Sequence, residues 1–145
     1  MNYKINVENT FHEIYIKKDK IVDIIKIVLC EENISEAKIN IILVDDNYII
    51  NLNKEFLNRD ATTDVLSFNL EEDPKNQLLE GEVYANLQQI ERQANDYNVS
   101  FQNELFRVLI HGLLHLVRFN DRTSEQRKIM TEKEDYYLDL LGYRL

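Results

Sequence analysis

The sequence predicts an α+β fold, a mixed sheet of about four strands flanked by helices in a single domain spanning residues 1–145. Three observations predict it. Segments of period-2 hydrophobic alternation and segments of helical period both occur along the chain. The two kinds do not alternate regularly, which argues against a doubly wound sheet, and the last third reads as helix throughout. A length of 145 residues with 44% apolar composition suffices for one substantial core, and 3 Gly and 1 Pro leave little room for flexible linkers.

Taken in order, Tyr3, Ile5 and Val7 alternate with polar residues and predict a half-buried strand. A second short alternation, His12 to Ile16, is a candidate to pair with it, with His12 as a surface residue. From Lys18 to Asn33 the residues Ile21, Ile24, Ile25, Val28 and Leu29 recur at helical spacing. Ala37 to Val44 is a β-branched run of strand length. Asp45 or Asp46 can cap the next helix, whose apolar positions are Ile49, Ile50, Leu52, Phe56 and Leu57. Thr63 to Leu70 alternates again, with Val65 and Ser67 on the face opposite Leu66 and Phe68. An acidic loop around Pro74 leads to a strand at Gly81 to Asn86. Helices then follow at Leu87 to Tyr97, at Phe101 to Val117, and from Thr123 or Ser124 towards Leu141, where Gly142 is a natural stop.

Composition narrows the function. Cys30 is the only cysteine, so no internal disulfide can form, and its place in an apolar helical stretch predicts a buried, inert thiol. The N-terminal segment carries no secretory pattern, and no apolar run approaches the roughly 18 residues of a membrane span. The expectation is a cytoplasmic protein with no membrane partner. Net charge is −9, so bulk electrostatics would repel polyanions, and any nucleic-acid role must rest on a local site.

The chemistry concentrates in LFRVLIHGLLHLVRFND, Leu105 to Asp121. Residues four apart on a helix stand one above the other, so His111 and His115 project from one face and can share a cation at ~2.0–2.1 Å. Asp121 follows six residues later, beyond the expected helix end, where a turn would fold its carboxylate back as a third ligand. Two imidazoles and one carboxylate suit Zn²⁺ and leave a fourth position open for water or substrate, the design of a hydrolytic metal. The alternative is a pair of core histidines bonded to backbone or carboxylate partners. Gly112 costs ~1 kcal/mol relative to Ala in a helix interior, which suggests close packing or close ligand approach there. It also occupies the position where the H-E-x-x-H proteases carry their general base.

At this point the chain resembles the YbeY-type rRNA maturation factors. Their signature is H-G-x-L-H-L-x-G-Y-D-H; here His111, Gly112, Leu114, His115 and Leu116 match, Arg118 replaces the Gly, Phe119 the Tyr, Asn120 the Asp, and Asp121 the third His. TTDVLSF, Thr62 to Phe68, resembles the family's P-T-D-V-L-S-F, and GEVYAN, Gly81 to Asn86, its G-D-I strand. The resemblance implies a zinc-dependent endoribonuclease acting on single-stranded RNA in small-subunit rRNA maturation and ribosome quality control. The implied metal ligands map onto His111, His115 and Asp121.

The family also carries an Arg in a Y-R-x-K-D segment. Counted back from Thr63 that Arg falls at Leu57, and Arg59 falls on the family's Lys. Arg59 is therefore the candidate catalytic cation, able to clamp a phosphodiester from a shifted position, with a plain solvated arginine as the alternative. Arg118 and Arg122 flank the ligands and are candidates to add local positive charge, with a solvated surface role for each as the alternative. Asp64 is a candidate to orient a metal-bound His or to cap a strand end. Two further readings stay open: a metal hydrolase of another substrate, and a non-catalytic ribosome-assembly module with a structural metal, for which acidity favours ribosomal proteins as partners.

Overall fold

A computed structural model of the chain describes residues 1–71 and 78–142. The elements run β1 (Asn2–Asn9), α1 (Lys18–Glu31), β2 (Glu36–Val44), α2 (Asp46–Leu57), β3 (Val65–Asn69), β4 (Leu78–Asn86), α3 (Leu87–Tyr97), α4 (Phe101–Leu116) and α5 (Ser124–Leu140). The sheet has the order β1-β2-β4-β3. β1 and β4 both pair parallel to the central β2, and β3 runs antiparallel along the edge of β4. This is the expected α+β architecture with a mixed four-stranded sheet.

One face of the sheet carries the main core. Val7, Ile39, Ile41, Leu43, Val83 and Ala85 point into it and meet the apolar stripes of α1, α3, α4 and α5. On the opposite face α2 covers a smaller cluster of Ile42, Val44 and Ile49, with Leu66 and Tyr84 packed against it. α4 is the centre of the main core. Leu105, Phe106, Val108, Leu109, Ile110, Gly112, Leu113, Leu114 and Leu116 are all buried, which beyond the first turn leaves one stripe of the helix, Arg107, His111 and His115, to reach solvent. Burial of each large apolar side chain contributes about 1.5–3 kcal/mol, so the stripe is carried on a firmly anchored rod.

Capping follows the local chemistry. Asp45 accepts from the Tyr48 amide, Asn86 from those of Gln88 and Gln89, and Ser100 from that of Asn103. Thr123 and Gln126 form a reciprocal capping box at the start of α5. α5 stops as expected, with Gly142 at φ 76° in the left-handed region.

The alternation in β3 holds. Ser67 faces α4 and donates to the Gly112 carbonyl at 2.8 Å, while Phe68 lies edge-on to Phe56 and Tyr84 on the other side. Three expectations need correction. His12 to Ile16 is not a strand: His12 is exposed in a turn shaped by Asn9, which accepts from the Phe11 amide and donates to the Ile14 carbonyl. Cys30 is exposed, because it follows Leu29 by one residue and a helix turns that position away from the core. On α2, Phe56 and Leu57 are exposed and the buried position in the last two turns is Asn53, whose amide donates to the Ala61 carbonyl. The loop around Pro74 lies outside the described residues.

Candidate metal centre

α4 delivers the two histidines on its one open stripe, each with its side chain about one quarter exposed. The chain then reverses. The amide of Arg118 bonds the His115 carbonyl and that of Phe119 bonds the Leu114 carbonyl, a Schellman closure that needs a left-handed residue at Arg118, where φ is 79°. The family resemblance puts Gly at this position, and the geometry explains why. Arg118 tolerates the strain with its guanidinium 2.6 Å from Glu71. Past the turn, Phe119 packs against the main core, and the Arg127 guanidinium bonds the carbonyls of Asp121 and Arg122. The Asp121 carboxylate is thereby brought back over α4.

The result is a compact triangle. His111 Nε2 and His115 Nε2 lie 3.1 Å apart. Asp121 Oδ2 lies 3.6 Å from the first and 3.5 Å from the second. A cation ~2.0–2.1 Å from three tetrahedrally disposed donors holds them about 3.3 Å apart, and these separations bracket that figure. The polar groups behind the rings make the fit chemical as well as spatial. His111 Nδ1 faces the Glu134 carboxylate at 2.6 Å, and His115 Nδ1 faces the Phe119 carbonyl at 3.1 Å. Both partners only accept, so both Nδ1 atoms carry the ring hydrogen, and in the neutral rings both Nε2 atoms present lone pairs. Two lone pairs and a carboxylate oxygen thus converge with no donor among them, and a shared cation resolves that arrangement. Among the described residues, His111, His115 and Asp121 form the one group of potential ligands close enough to share an ion.

His111 itself lines a cavity of about 200 Å³ that also carries the acids Asp64, Glu104 and Glu134 together with Gln93 and Arg107. Gln93 sits in it and donates from one amide nitrogen to Asp64 at 3.2 Å and to Glu104 at 2.8 Å. Neither histidine has Asp64 among its hydrogen-bond partners in the described residues, and the Asp64 backbone carbonyl accepts from the Asn86 amide where β3 begins. Arg107 pairs with Glu134 and Asp135. Burial alone would push the His111 imidazolium down, but the Glu134 hydrogen bond, with Asp64 and Asp121 further off, outweighs it and raises the pKa. Burial of Glu104 is the largest influence on that carboxyl and lifts it above its ordinary range, against the Gln93 hydrogen bond and the Arg107 charge.

A carboxyl whose folded-state pKa is raised favours folding fully below its unfolded value, and that contribution is lost as pH rises through the folded value. Glu104→Gln is accordingly expected to be at least as stable as wild type at pH 7, with the advantage disappearing below about pH 4 as the wild-type carboxyl protonates. Thermal denaturation of both proteins across pH 4–8 checks this, and a Glu104→Gln that is less stable at pH 7 would contradict it.

The remaining sequence candidates are not members of the triangle. Arg59 is exposed in the loop between α2 and β3; its amide bonds the Asn53 carbonyl, and its guanidinium has no hydrogen-bond or ion-pair partner among the described residues. Arg122 is exposed. Sequence reasoning missed Glu134, Glu104, Arg107 and Gln93. A signal for the first was present: Glu134 stands in the apolar stripe Met130, Tyr137, Leu138 of α5, where an acid is costly unless paired.

Comparison with known proteins gives this geometry its context. Residues 4–142 match the family model described as Endoribonuclease YbeY. The chain belongs to the YbeY family. Relatives named Endoribonuclease YbeY include one from Desulforamulus reducens, 38% identical over 94% of this chain and 95% of that protein. Another, from Flavobacterium psychrophilum, is 38% identical over 78% of this chain and 79% of its own length. The fold is similar to the solution structure of TM1509 from Thermotoga maritima, with a TM-score of 0.62, 27% identity, and coverage of 97% of this chain and 91% of that one. No helix among the described residues is long and apolar enough to cross a membrane.

Proposed function

We propose that this chain is a metal-dependent endoribonuclease that cuts single-stranded RNA in small-subunit rRNA maturation and ribosome quality control, with zinc held by His111, His115 and Asp121. The observation that carries the reading is the convergence of two Nε2 lone pairs and the Asp121 carboxylate on one point, with both Nδ1 atoms already committed to acceptors. Two imidazoles and one carboxylate suit Zn²⁺ among biological cations. When bound, the metal supplies Lewis-acid polarisation of a phosphodiester and a water whose pKa falls to about 7.

The protein's own residues set the rest. Arg107 and Arg118 are already paired with carboxylates and add little free positive charge, which leaves the exposed Arg122, next to Asp121 in the chain, as the local arginine. In a chain of net charge −9, the cation itself is then the main attraction for a phosphate. Arg59, whose guanidinium has no partner among the described residues, is the candidate to hold the phosphodiester from the protein side. The acidic surface suits basic ribosomal proteins as partners, and the cytoplasm is the compartment where RNA, ribosomes and a free thiol coexist.

The test is cleavage of matched single-stranded and duplex RNAs by the zinc-loaded protein and by Arg59→Ala. Single strands are expected to be cut in preference. Loss of a charge-assisted phosphate contact of ~1.5–3 kcal/mol should lower kcat/KM in Arg59→Ala by about 10- to 100-fold with zinc content unchanged. Zinc-loaded wild type that cuts neither RNA would overturn the catalytic reading and leave the binding module in its place.

A further inference from the structure

We propose that Glu134 is the positioning residue that makes His111 a metal ligand, and that Arg107 holds Glu134 in that role. The inference rests on the metal site read above. Glu134 is 7% exposed, and a carboxylate so buried is retained only with partners for its oxygens. It has them: Oε2 lies 2.6 Å from His111 Nδ1, and Oε1 is 3.2 Å from the Arg107 guanidinium, whose other nitrogen bonds Asp135 at 2.8 Å. Glu134 comes from α5 and both of its partners from α4, so it ties the last helix to the ring orientation of the first histidine.

The chemistry of that contact is specific. A carboxylate accepts, so it selects the tautomer with hydrogen on Nδ1 and the lone pair on Nε2, which is the atom aimed at His115 and Asp121. It also pushes electron density into the ring and makes Nε2 a stronger donor. His115 receives only the neutral Phe119 carbonyl at its Nδ1, so the two histidines are unequal ligands and His111 is the stronger. Glu134 lies on the far side of the His111 ring from the triangle and is not itself a member of the ligand group. Arg107 balances its charge and fixes its rotamer, which keeps it bonded to the ring.

The experiment compares Glu134→Gln and Glu134→Ala with wild type and with Glu132→Gln, an exposed change on the same helix. Zn²⁺ affinity is read by competition with a chromophoric chelator, and the ring tautomers of the metal-free proteins by nitrogen-15 NMR. Wild type and Glu132→Gln should show His111 with hydrogen on Nδ1. Removal of a partner behind a ligand typically lowers metal affinity 10- to 100-fold, and that loss is expected for Glu134→Ala. Glu134→Gln should fall between, since its amide oxygen accepts without the charge, and it serves where the Ala variant fails to fold. A purely structural Glu134 would lower the melting temperature and leave tautomer and affinity alone. Folded Glu134 variants that bind zinc as tightly as wild type, with the tautomer unchanged, would overturn the proposal while leaving the metal site standing. Wild type that binds no zinc would overturn both.

Discussion

His115→Ala is expected to lose metal affinity by more than about 100-fold while keeping its fold, because changes behind a ligand already cost 10–100-fold and this one removes the ligand itself. The two remaining donors, His111 Nε2 and Asp121 Oδ2, stand 3.6 Å apart and offer an ion only half of a tetrahedron. The fold should survive. The His115 ring is partly exposed, and among the described residues its one hydrogen bond outside the triangle is to the Phe119 carbonyl, which the Schellman turn and the packed Phe119 ring hold in place without it. RNA cleavage should fall with occupancy. Isothermal titration with zinc beside circular dichroism and a cleavage assay checks all three points. A folded His115→Ala that cuts RNA at the wild-type rate would remove this site from the mechanism.

Gly112→Ala is expected to destabilise the protein although alanine is the better helix former. A Cβ at Gly112 would stand 2.9 Å from both Val65 Cγ2 and Val83 Cγ1 and 3.1 Å from Ser67 Oγ. Those are β-branched or hydrogen-bonded side chains in a packed sheet, with little freedom to retreat. Overpacking of this kind costs about 1–3 kcal/mol, against a helix-propensity gain of ~1 kcal/mol. The difference is a net loss of up to about 2 kcal/mol, a fall of up to roughly 8 °C in Tm for a chain of this size. Gly112→Val should lose more. The site would feel it too, since Gly112 is adjacent to His111 and its carbonyl receives the Ser67 hydroxyl. An unchanged or raised Tm in Gly112→Ala would show that α4 does not need this close approach to β3 and β4.

How far the sequence anticipated this molecule depends on the range over which each feature is encoded. α4 and its paired histidines were legible because a helix converts spacing into geometry with no help from the rest of the chain. β1 and β3 were legible from alternation, β2 from its β-branched run, and the caps at Asp45 and Thr123 from side-chain chemistry. The return of Asp121 was an expectation that spacing alone could not secure. It depends on a left-handed Arg118, an anchored Phe119 and the Arg127 bonds from the next helix. Arg118 in place of the family's Gly makes that turn harder to read locally, since a large side chain seldom takes φ 79°.

What the sequence hid is tertiary. Glu134 lies 23 residues from His111 along the chain, and nothing local says that an acid in an apolar stripe has an imidazole waiting for it. The Gln93 bridge joins side chains from three separate segments. His12 to Ile16 misled because Ile14 and Ile16 are partly buried, as alternation suggests, but from a turned segment that packs against the core without joining the sheet. Cys30 misled because an apolar stretch of helix still has a solvent face.

The central claim is that His111, His115 and Asp121 together hold one catalytic metal. Its most direct test is elemental analysis of natively purified protein, wild type beside His115→Ala and Asp121→Ala. The account predicts close to one zinc per chain in wild type, none retained in His115→Ala, and a reduced share in Asp121→Ala. A folded wild type that carries no metal, even after zinc is supplied, would contradict it.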